Sequence, residues 1–413
     1  MEIPYVKNPS TKVNPDRKLD HKKLRDIRNY TIVPSTRTAK AIVEVSGNPF
    51  GDFTDIQTAI DYTDSVGGGI IFIRNGTYLL DDNLVVPSGV NLVGETDTGV
   101  IIDFQGEENQ IQVIGENAYT TGTITIGDTD TTVVGSGTTW TSAMVGRSIL
   151  LAGSWYLITA FVDTTHITIE SEFSGDSLIG ETYVISDPVS NVEISKMTVQ
   201  NSAATDGAVV IRYANQVFFN RHLVILNVLG LGIYNSSTIV VEDVVIAACY
   251  YGIEIDTLAG LTYDQGYITD IAVGDGFSLT NTTNSVINNF SSINCAANGM
   301  TFTSCSDIGT TNFSIDSNTV HGIELISCTE LQIHTATIKN NGTDGLKFTS
   351  GCTNNAISLI VFRNNGNDGV NVAAASDIDN IILGNVFKEN IATTVADSGT
   401  TTLIRSNVGI ADN

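Results

Sequence analysis

The sequence is short of several residue types, and each shortage excludes a class of protein or site. Outside the first 40 residues it holds only ten Lys or Arg against 41 Asp or Glu, which disfavours nucleic acid as a partner. No run of about 18 apolar residues occurs, so no membrane-spanning helix is predicted. Five cysteines and five scattered histidines predict no disulfide framework, metal site or cofactor. Glycine is abundant, with 38 in 413 residues against 7 prolines, as is typical of turn-rich β proteins.

The glycines form a repeat. They occur at positions 207, 232, 252, 276, 299, 322, 345 and 369, and the last five intervals are 24, 23, 23, 23 and 24 residues. An apolar–polar–apolar triplet follows each glycine, as at residues 253–255 and 323–325. Alternation with period two is typical of a half-buried strand, and a fixed period of this length is typical of a solenoid. The sequence therefore predicts a coil of short strand-and-turn rungs.

Two further columns fix the register of the rungs. The members recur at intervals of 23 or 24 residues and are Cys305, Cys328 and Cys352 in one column, and Asn318, Asn341 and Asn365 in the other, with Cys295 in the equivalent place one rung earlier. We interpret the cysteines as small packing residues and the asparagines as a stack that bonds buried turn backbone. The glycine after each Asn is expected to supply a positive φ at the corner.

These features resemble the right-handed parallel β-helix of the pectate lyase-like superfamily. Residues 50–61 (FGDFTDIQTAID) predict an amphipathic helix, and residues 67–78 (GGGIIFIRNGTY) predict a strand and turn. A similar opening in that superfamily forms a helix that covers the first rung, which would otherwise expose apolar side chains and strand edges. The resemblance implies an all-β fold, a right-handed parallel β-helix with rungs of about 23 residues and an N-terminal capping helix.

Between residues 117 and 188 the rung pattern stops. About five short alternating strands between Gly, Asp and Ser turns predict an inserted small β-barrel or sandwich, which resembles a β-domain of phage tail and tail-fibre proteins. The predicted organisation is a basic extended arm (1–44), a capping helix with the first rungs (45–116), the insert (117–188) and the main β-helix (189–413). Both tryptophans, Trp140 and Trp155, lie in the insert. We interpret them as its core, with carbohydrate stacking by one exposed ring as the alternative.

Glu254 and Asp256 are the candidate catalytic residues. They lie two positions apart on one predicted strand, so their carboxylates share a face at about 6–7 Å. Glycoside hydrolysis needs two carboxyl groups about 5–10 Å apart, one as acid and the other as nucleophile or base. If the chain is an enzyme, this pair predicts a polysaccharide-degrading glycosidase, although any Glu-x-Asp strand would provide the distance. Asp275, Ser278 and Thr280 are expected one rung further on.

A second candidate site contacts carbohydrate or a partner and consists of Lys339, Arg363 and Lys388, which form one outward column, together with Trp140 and Trp155. Like charges about 5 Å apart repel each other, so an anionic group is expected beside the column. One source is a carboxylate of the same chain, namely Glu389, Asp344 or Asp368. The other source is an acidic surface glycan or a neighbouring subunit.

Other polar residues near the corners are interpreted as structural. Glu324 and Lys347 are neighbours on adjacent rungs and predict a cross-strand ion pair. Asp344 and Asp368, in one column with Asn298 and His321, are expected to bond their own backbone in turns.

The resemblance to phage proteins implies a viral tail-spike-like adhesin that contacts host surface carbohydrate, assembles as a homotrimer and resides in the virion tail. Two alternatives stay open. One is a polysaccharide depolymerase that uses Glu254 and Asp256. The other is a self-assembling structural protein of a surface or filament, extracellular or at the cell surface. In that case the basic arm, which holds ten Lys or Arg and four Asp or Glu in its first 40 residues, is the assembly contact.

Overall fold

The computed structural model describes residues 39–44, 51–105, 109–174, 176–201, 208–226, 230–392 and 394–409. The predicted basic arm (1–44) lies outside the described residues except for its last six. Over these residues the chain is an all-β parallel solenoid of about 13 turns with about 4% helix, consistent with a right-handed parallel β-helix with rungs of about 24 residues. The predicted fold class is confirmed.

The first rungs carry the capping helix. They comprise α1 (Ile56–Ser65) and strands β1 (Ala39–Val43), β2 (Gly69–Ile73), β3 (Gly76–Leu80), β4 (Leu84–Val85), β5 (Val90–Gly94), β6 (Val100–Phe104) and β7 (Ile111–Ile114). The helix begins after Asp55, whose carboxylate accepts a 2.7 Å bond from the Thr58 amide. It buries Ile56, Ala59 and Ile60 and contacts β1 and β2. The helix thereby covers the apolar end of the coil.

The insert forms a separate antiparallel assembly of eight strands. They are β8 (Glu116–Tyr119), β9 (Thr123–Ile126), β10 (Thr132–Ser136), β11 (Ser148–Leu151), β12 (Ser154–Asp163), β13 (His166–Ile169), β14 (Leu178–Glu181) and β15 (Val184–Asp187), with one 3-10 turn at Ser142–Met144. Its own apolar core includes Trp140, Ile149 and Ile185. It contacts the solenoid where the backbone of Gly153 approaches that of Ala259.

The main coil continues the parallel pairing rung by rung. Its strands are β16 (Val189–Asn201), β17 (Ala208–Arg212), β18 (Ala214–Leu226), β19 (Gly230–Glu242), β20 (Val244–Ala247), β21 (Ile253–Asp264), β22 (Tyr267–Thr269), β23 (Phe277–Asn288), β24 (Ser291–Ile293), β25 (Met300–Thr303), β26 (Ser306–Asp316), β27 (Ile323–Ile326), β28 (Gln332–Lys339), β29 (Leu346–Ser350), β30 (Ala356–Arg363), β31 (Val370–Val372), β32 (Ile381–Leu383), β33 (Val386–Lys388), β34 (Val395–Asp397), β35 (Leu403–Arg405) and β36 (Val408–Gly409).

The asparagine stack is formed as predicted. Asn318, Asn341 and Asn365 are all buried, and each accepts a bond from the amide nitrogen of the preceding rung's residue, at 3.0 Å from Cys295, 3.1 Å from Asn318 and 3.2 Å from Asn341. Side-chain amides link successive members at 3.0 Å. The stack therefore satisfies corner backbone groups that the solenoid removes from water.

The corner glycines have a different role from the predicted one. A positive φ is found not at Gly322 or Gly345 but at other corner residues, including Asn340 and Asn364. A Cβ added to Gly322 would lie 2.4 Å from the Gly345 carbonyl oxygen and 2.8 Å from Asn341 Nδ2. Glycine is needed at these corners because adjacent rungs approach too closely for a side chain.

The cysteine column is packed inside the coil. Cys305, Cys328 and Cys352 are buried free thiols, and their sulfurs lie 3.3–3.5 Å from carbonyl oxygens of the preceding rung. Burial raises the pKa of the Cys352 thiol to about 12, so it stays protonated and donates. These residues serve as small polar-tipped packing groups.

The register departs from the sequence prediction on the earlier rungs. Leu231 pairs with Ile253, so Gly230, and not Gly232, is the counterpart of corner glycine Gly252. The glycine interval on this rung is therefore 22 residues. The chain adopts this register because it places Leu231 and Ile233 in the two inward positions of the triplet, whereas a shift by two residues, with Gly232 at the corner, would place Ile233 and the polar Asn235 there.

Candidate functional site

Two adjoining depressions on the outer face of β19, β21 and β23 form one groove. The larger has a volume of about 480 Å³, and the smaller has about 140 Å³. Tyr251, Gly252 and Glu254 line both, so Glu254 stands between them. The larger one is also lined by Gly274, Asp275 and Ser278, and the smaller one also by Gln110, Gly232 and Tyr234. We call this depression the Glu254 groove.

The position of Glu254 follows from strand alternation. Its neighbours Ile253 and Ile255 are buried, so the Glu254 side chain points outward and is exposed. Its register partners are Gly232 on one rung and Ser278 on the next. Both partners are small, which leaves the carboxylate in an open depression.

Tyr234 bridges two outward columns. It pairs with Asp256 rather than with Glu254, yet its ring lies over Gly232, where an added Cβ would be 2.7 Å from ring carbon Cε2. The Tyr234 hydroxyl donates to Glu254 Oε2 at 3.1 Å. Burial, together with the Glu254 charge, raises the pKa of Tyr234 to about 12, so the hydroxyl keeps the proton that it donates. On the other side the Arg212 guanidinium lies 5.2 Å from the ring centre.

Tyr251 provides an exposed aromatic surface at the rim. Its side chain is 44% exposed and projects from the corner before β21. Gly274 lies against this ring, because a Cβ there would be 2.4 Å from the ring atom Cδ1. Aromatic faces of this kind stack on the apolar faces of sugar rings.

Asp275 places a second carboxyl group in the groove. It is half-buried, and its Oδ1 accepts a 2.8 Å bond from the Asn298 amide of the next rung. Burial raises the pKa of Asp275, and the Glu324 charge adds to this, while bonds from Thr301 and Asn298 oppose it. Asp275 is therefore biased toward the protonated form, next to the exposed Glu254.

Asp256 is held differently from the sequence interpretation. It shares the outward face of β21 with Glu254, but it does not line the Glu254 groove. Its Oδ1 accepts 3.1 Å bonds from Asn281 Nδ2 and Thr257 Oγ1. The groove thus brings Glu254 together with Asp275 instead of Asp256. Sequence reasoning gave Asp275 no role in catalysis, although it lies directly before corner glycine Gly276 in a column of polar residues.

This polar column continues along the coil beyond the groove. Its members are Asp275, Asn298, His321, Asp344 and Asp368. Each of the first four accepts a bond from the backbone amide of the next member, at 2.8, 2.9, 3.3 and 3.0 Å. The prediction that Asp344 bonds its own backbone is wrong, because the corner places the amide of the adjacent rung closer. Burial and the Lys347 charge lower the pKa of His321, so it is held neutral.

Glu324 and Lys347 are register partners, as predicted, but each bonds corner residues. Glu324 accepts from Asn298 Nδ2 at 3.0 Å and from Thr349 Oγ1 at 2.6 Å. Lys347 Nζ lies 3.5 Å from His321 Nε2. These side chains connect the outward column to the corner and fill the face beyond the groove.

The cationic column is present, and it finds its anions within the chain. Lys339, Arg363 and Lys388 are register partners. Lys339 Nζ is 3.1 Å from Asp316 Oδ2, and both Arg363 and Lys388 lie 3.6 Å from the Glu389 carboxylate. Of the predicted partners Glu389 takes part, whereas Asp344 lies at a different corner.

Trp140 lies in the apolar core of the insert, as interpreted, whereas carbohydrate contact by Trp155 stays a prediction. Trp140 is fully buried, and its ring nitrogen donates to the Tyr183 hydroxyl at 2.9 Å, so contact with carbohydrate is excluded. Trp155 is half-buried at the junction with the solenoid, where its ring nitrogen donates to the Ala214 carbonyl at 3.3 Å. The exposed aromatic side chain of the groove is Tyr251.

Within the described part of the chain, no three His, Cys, Asp or Glu side chains are arranged to hold a metal ion. No helix in that part is long and apolar enough to cross a membrane.

Comparisons with known proteins identify the architecture. A family model described as "Rhamnogalacturonase A/epimerase, pectate lyase-like" matches residues 52–274, more than half of the chain, and a second, "Right handed beta helix region", matches residues 226–362. No curated protein sequence matches significantly.

Among solved structures, the A-module of mannuronan C-5 epimerase AlgE6 from Azotobacter vinelandii is 15% identical, with 87% of this chain and 95% of that chain covered and a TM-score of 0.53. The catalytic domain of a GH87 alpha-1,3-glucanase in complex with nigerose is 10% identical, with 91% and 69% covered and a TM-score of 0.56. Tailspike protein 3 of bacteriophage CBA120 is 13% identical, with 87% and 60% covered and a TM-score of 0.42. At these identities the likeness is one of fold.

Proposed function

The chain belongs to the rhamnogalacturonase A/epimerase, pectate lyase-like family, and from this premise we propose that it binds a polysaccharide in the Glu254 groove and hydrolyses it. The observation that carries the proposal is the pairing of Glu254 and Asp275 in one groove, in contrasting surroundings, beside the exposed ring of Tyr251. A pair of carboxyl groups whose environments separate their pKa values is the arrangement that divides acid and base roles.

The roles follow from the surroundings of each group. Asp275, biased toward its protonated form, donates its proton to the glycosidic oxygen as the bond to the leaving sugar breaks. Glu254, exposed and bonded to the Tyr234 hydroxyl, acts on the anomeric carbon directly or through a water molecule. Tyr251 holds a neighbouring sugar ring by stacking. The net reaction adds one water across the glycosidic bond.

Three variants test these roles. Glu254→Gln and Asp275→Asn keep the shape of each side chain but remove its acid–base function. We expect release of reducing ends from a susceptible polysaccharide to fall at least a hundredfold in both. Asp256→Asn is the matched control, because Asp256 lies on the same strand face outside the groove, and it should retain activity. Loss of activity in Asp256→Asn with activity kept in Asp275→Asn would return the site to Glu254 and Asp256.

A binding measurement separates an enzyme from an adhesin. In affinity electrophoresis through gels containing the polysaccharide, Tyr251→Ala should weaken binding roughly tenfold, as expected for the loss of one stacked aromatic ring. Glu254→Gln should still bind. Binding by the wild-type protein without any release of reducing ends would establish the adhesin and refute hydrolysis.

We also propose that the chain is a tail-spike-like protein of a virion. It is supported by the joining of a β-helix to an inserted antiparallel module of the kind that resembles phage tail domains. Immunogold labelling of virions with antibody to this chain tests it. Label on cells or in the medium alone would favour the extracellular or cell-surface structural protein.

Association of several copies is proposed from an apolar outer face on the last rungs. Leu359 is 65% exposed, and its neighbours on β30, β32 and β33 are exposed as well, namely Val361, Ile381, Leu383 and Val386. On the rung of β28, which precedes that of β30, the equivalent positions are polar: Gln332, His334, Thr335 and Thr337. Contiguous exposed apolar side chains of this kind mark an interaction surface.

A homotrimer predicts a mass in solution of three times 44.0 kDa. The double variant Leu359→Asp/Leu383→Asp should dissociate it, whereas Thr335→Asp/Thr337→Asp, on the polar rung, should not. A monomeric wild-type protein in sedimentation analysis would refute the trimer. Oligomers whose size increases with protein concentration would favour the filament. If these oligomers are lost when residues 1–38 are deleted, the basic arm is the contact between copies.

A further inference from the structure

We propose that the Glu254 groove takes an electrically neutral polysaccharide and excludes polyuronates. This inference rests on the proposed function and specifies its substrate class. It runs against the simplest expectation from the family description, because rhamnogalacturonan carries a carboxylate on every galacturonic acid unit.

The charges of the groove carry the inference. Among the lining residues that the structure describes, the ionisable acids are Glu254 and Asp275, and none is a Lys or Arg. A third carboxylate, Asp256, faces outward on the same strand as Glu254. Arg212 is the cation beside the groove. Its guanidinium lies over the Tyr234 ring, and Tyr234 separates it from Asp256 in the register.

A polyuronate entering this groove would place its carboxylates beside those of the protein. At about 6 Å and an effective dielectric constant of about 20, each such pair weakens binding roughly a hundredfold. A neutral sugar meets no such penalty, and its hydroxyl groups can donate to the same carboxylates.

The net negative charge of residues 41–413 also disfavours a polyanionic ligand. Outside the first 40 residues, ten Lys or Arg stand against 41 Asp or Glu. The Lys339–Arg363–Lys388 column is matched by Asp316 and Glu389, so it leaves little excess positive charge. A polyanion is therefore repelled before it reaches the groove.

A calcium bridge is the usual way for carboxylates to hold a polyuronate. The groove does not offer a cage for one, because Asp275 Oδ1 is held by the Asn298 amide and Glu254 Oε2 by the Tyr234 hydroxyl. No cluster of three metal-ligating side chains occurs among the residues that the structure describes. Two carboxyl groups are fewer than the six to eight oxygen ligands that calcium prefers.

The test compares neutral glucans, galactans and mannans with polygalacturonate and alginate, using the full chain in affinity electrophoresis at low and high ionic strength, with and without calcium chloride. We expect a neutral polymer to bind with little salt dependence and the polyuronates to be rejected at least a hundredfold at low salt. Asp256→Lys places a cation beside the groove, two residues from Glu254 on the outward face of β21. It should raise polyuronate binding at low salt, with Asp264→Lys, further along β21 and outside the groove, as the matched control.

Tight polyuronate binding by the wild-type protein, whether salt-sensitive or calcium-dependent, would overturn the inference while leaving the groove in place. If neutral polymers bind but Tyr251→Ala and Glu254→Gln do not change binding or turnover, the groove itself is wrong, and the proposed function fails with it. Failure of both polymer classes to bind would likewise refute both.

Discussion

Asn341→Ala tests the physical basis of the coil most directly. The Asn341 side chain is 1% exposed, and its Oδ1 accepts bonds from the Asn318 backbone amide at 3.1 Å and from Asn318 Nδ2 at 3.0 Å. Its own Nδ2 donates to Asn365 Oδ1 at 3.0 Å. Alanine leaves the two Asn318 donors without this acceptor in the interior.

The expected loss follows from these contacts. A buried donor without an acceptor costs about 1–3 kcal/mol, so two such donors lower the free energy of unfolding by roughly 2–6 kcal/mol. The adjacent Asn340 is exposed, and its side chain makes two outward bonds, donating to the Asp316 carboxylate at 2.8 Å and accepting from Asn364 Nδ2 at 3.4 Å. Asn340→Gly keeps the residue's positive φ of 55° and should change stability by less than about 1 kcal/mol.

Hydrogen exchange is the appropriate assay, because rungs of a solenoid contact only their neighbours and can open locally. Asn341→Ala should speed exchange at the amides of residues 318–341 far more than at those of α1. Urea unfolding of both variants supplies the global comparison. Equal exchange and equal stability in Asn341→Ala and Asn340→Gly would refute the assignment of the buried stack as the element that satisfies the corners.

Three further outcomes are expected. Gly252→Ala should destabilise the fold by several kcal/mol in urea unfolding, because its Cβ would lie 1.9 Å from the Gly276 oxygen, whereas Gly309→Ala, with nothing within 4 Å, should be neutral. Tyr263→Phe should match or exceed wild-type stability, because the buried hydroxyl has no partner, and a clear loss would contradict this. Burial raises the pKa of Asp275 above 3.8 in the folded state. Asp275 therefore contributes fully to the free energy of unfolding below pH 3.8, and this contribution is lost as the pH rises through the folded-state pKa. Asp275→Asn should therefore be more stable than wild type at neutral pH and similar below pH 3.8, and a difference independent of pH would refute the raised pKa.

The coil was predictable from sequence because each rung repeats the same local chemistry at a nearly constant interval. From Phe277 to Val372 the apolar triplets pair as their spacing predicts. In a parallel stack, residues of equal phase become neighbours, so a column in the sequence is a column in space. The buried Asn and Cys columns follow from this relation alone.

The prediction failed where the interval changes. Gly232 matches the glycine pattern by residue type, but Gly230 holds the corner, because burial of Leu231 and Ile233 decides the register. Glycine was also assigned the wrong physical task at the corners of Gly322 and Gly345. The glycine spacing shows at which corner positions a side chain is not tolerated. It does not show whether the reason is a positive φ or the close approach of the next rung.

The sequence predicts one of the two carboxyl groups of the candidate site, that of Glu254, and misses the other, that of Asp275. Glu254 is outward by alternation, and that prediction needs only its buried neighbours. The choice between Asp256 and Asp275 as its partner depends on which wall of the groove each one occupies. It also depends on the burial of Asp275 and on the charge of Glu324, which lies three rungs along the coil from Glu254, and these effects exist only in the folded coil.

The groove is found where the repeat is irregular, and a physical reason connects the two. On a regular rung the outward position carries a side chain that fills the space over its neighbours. At Gly232 that side chain is missing, so the Tyr234 ring occupies the space and brings its hydroxyl to Glu254. The corner before β23, residues 270–276, is one residue longer than the next, 294–299, and it carries Gly274 and Asp275 to the other wall. Regular columns stabilise a solenoid by leaving no space between rungs. A binding site in such a fold therefore requires a missing side chain or an extra residue, and β19–β23 combine both.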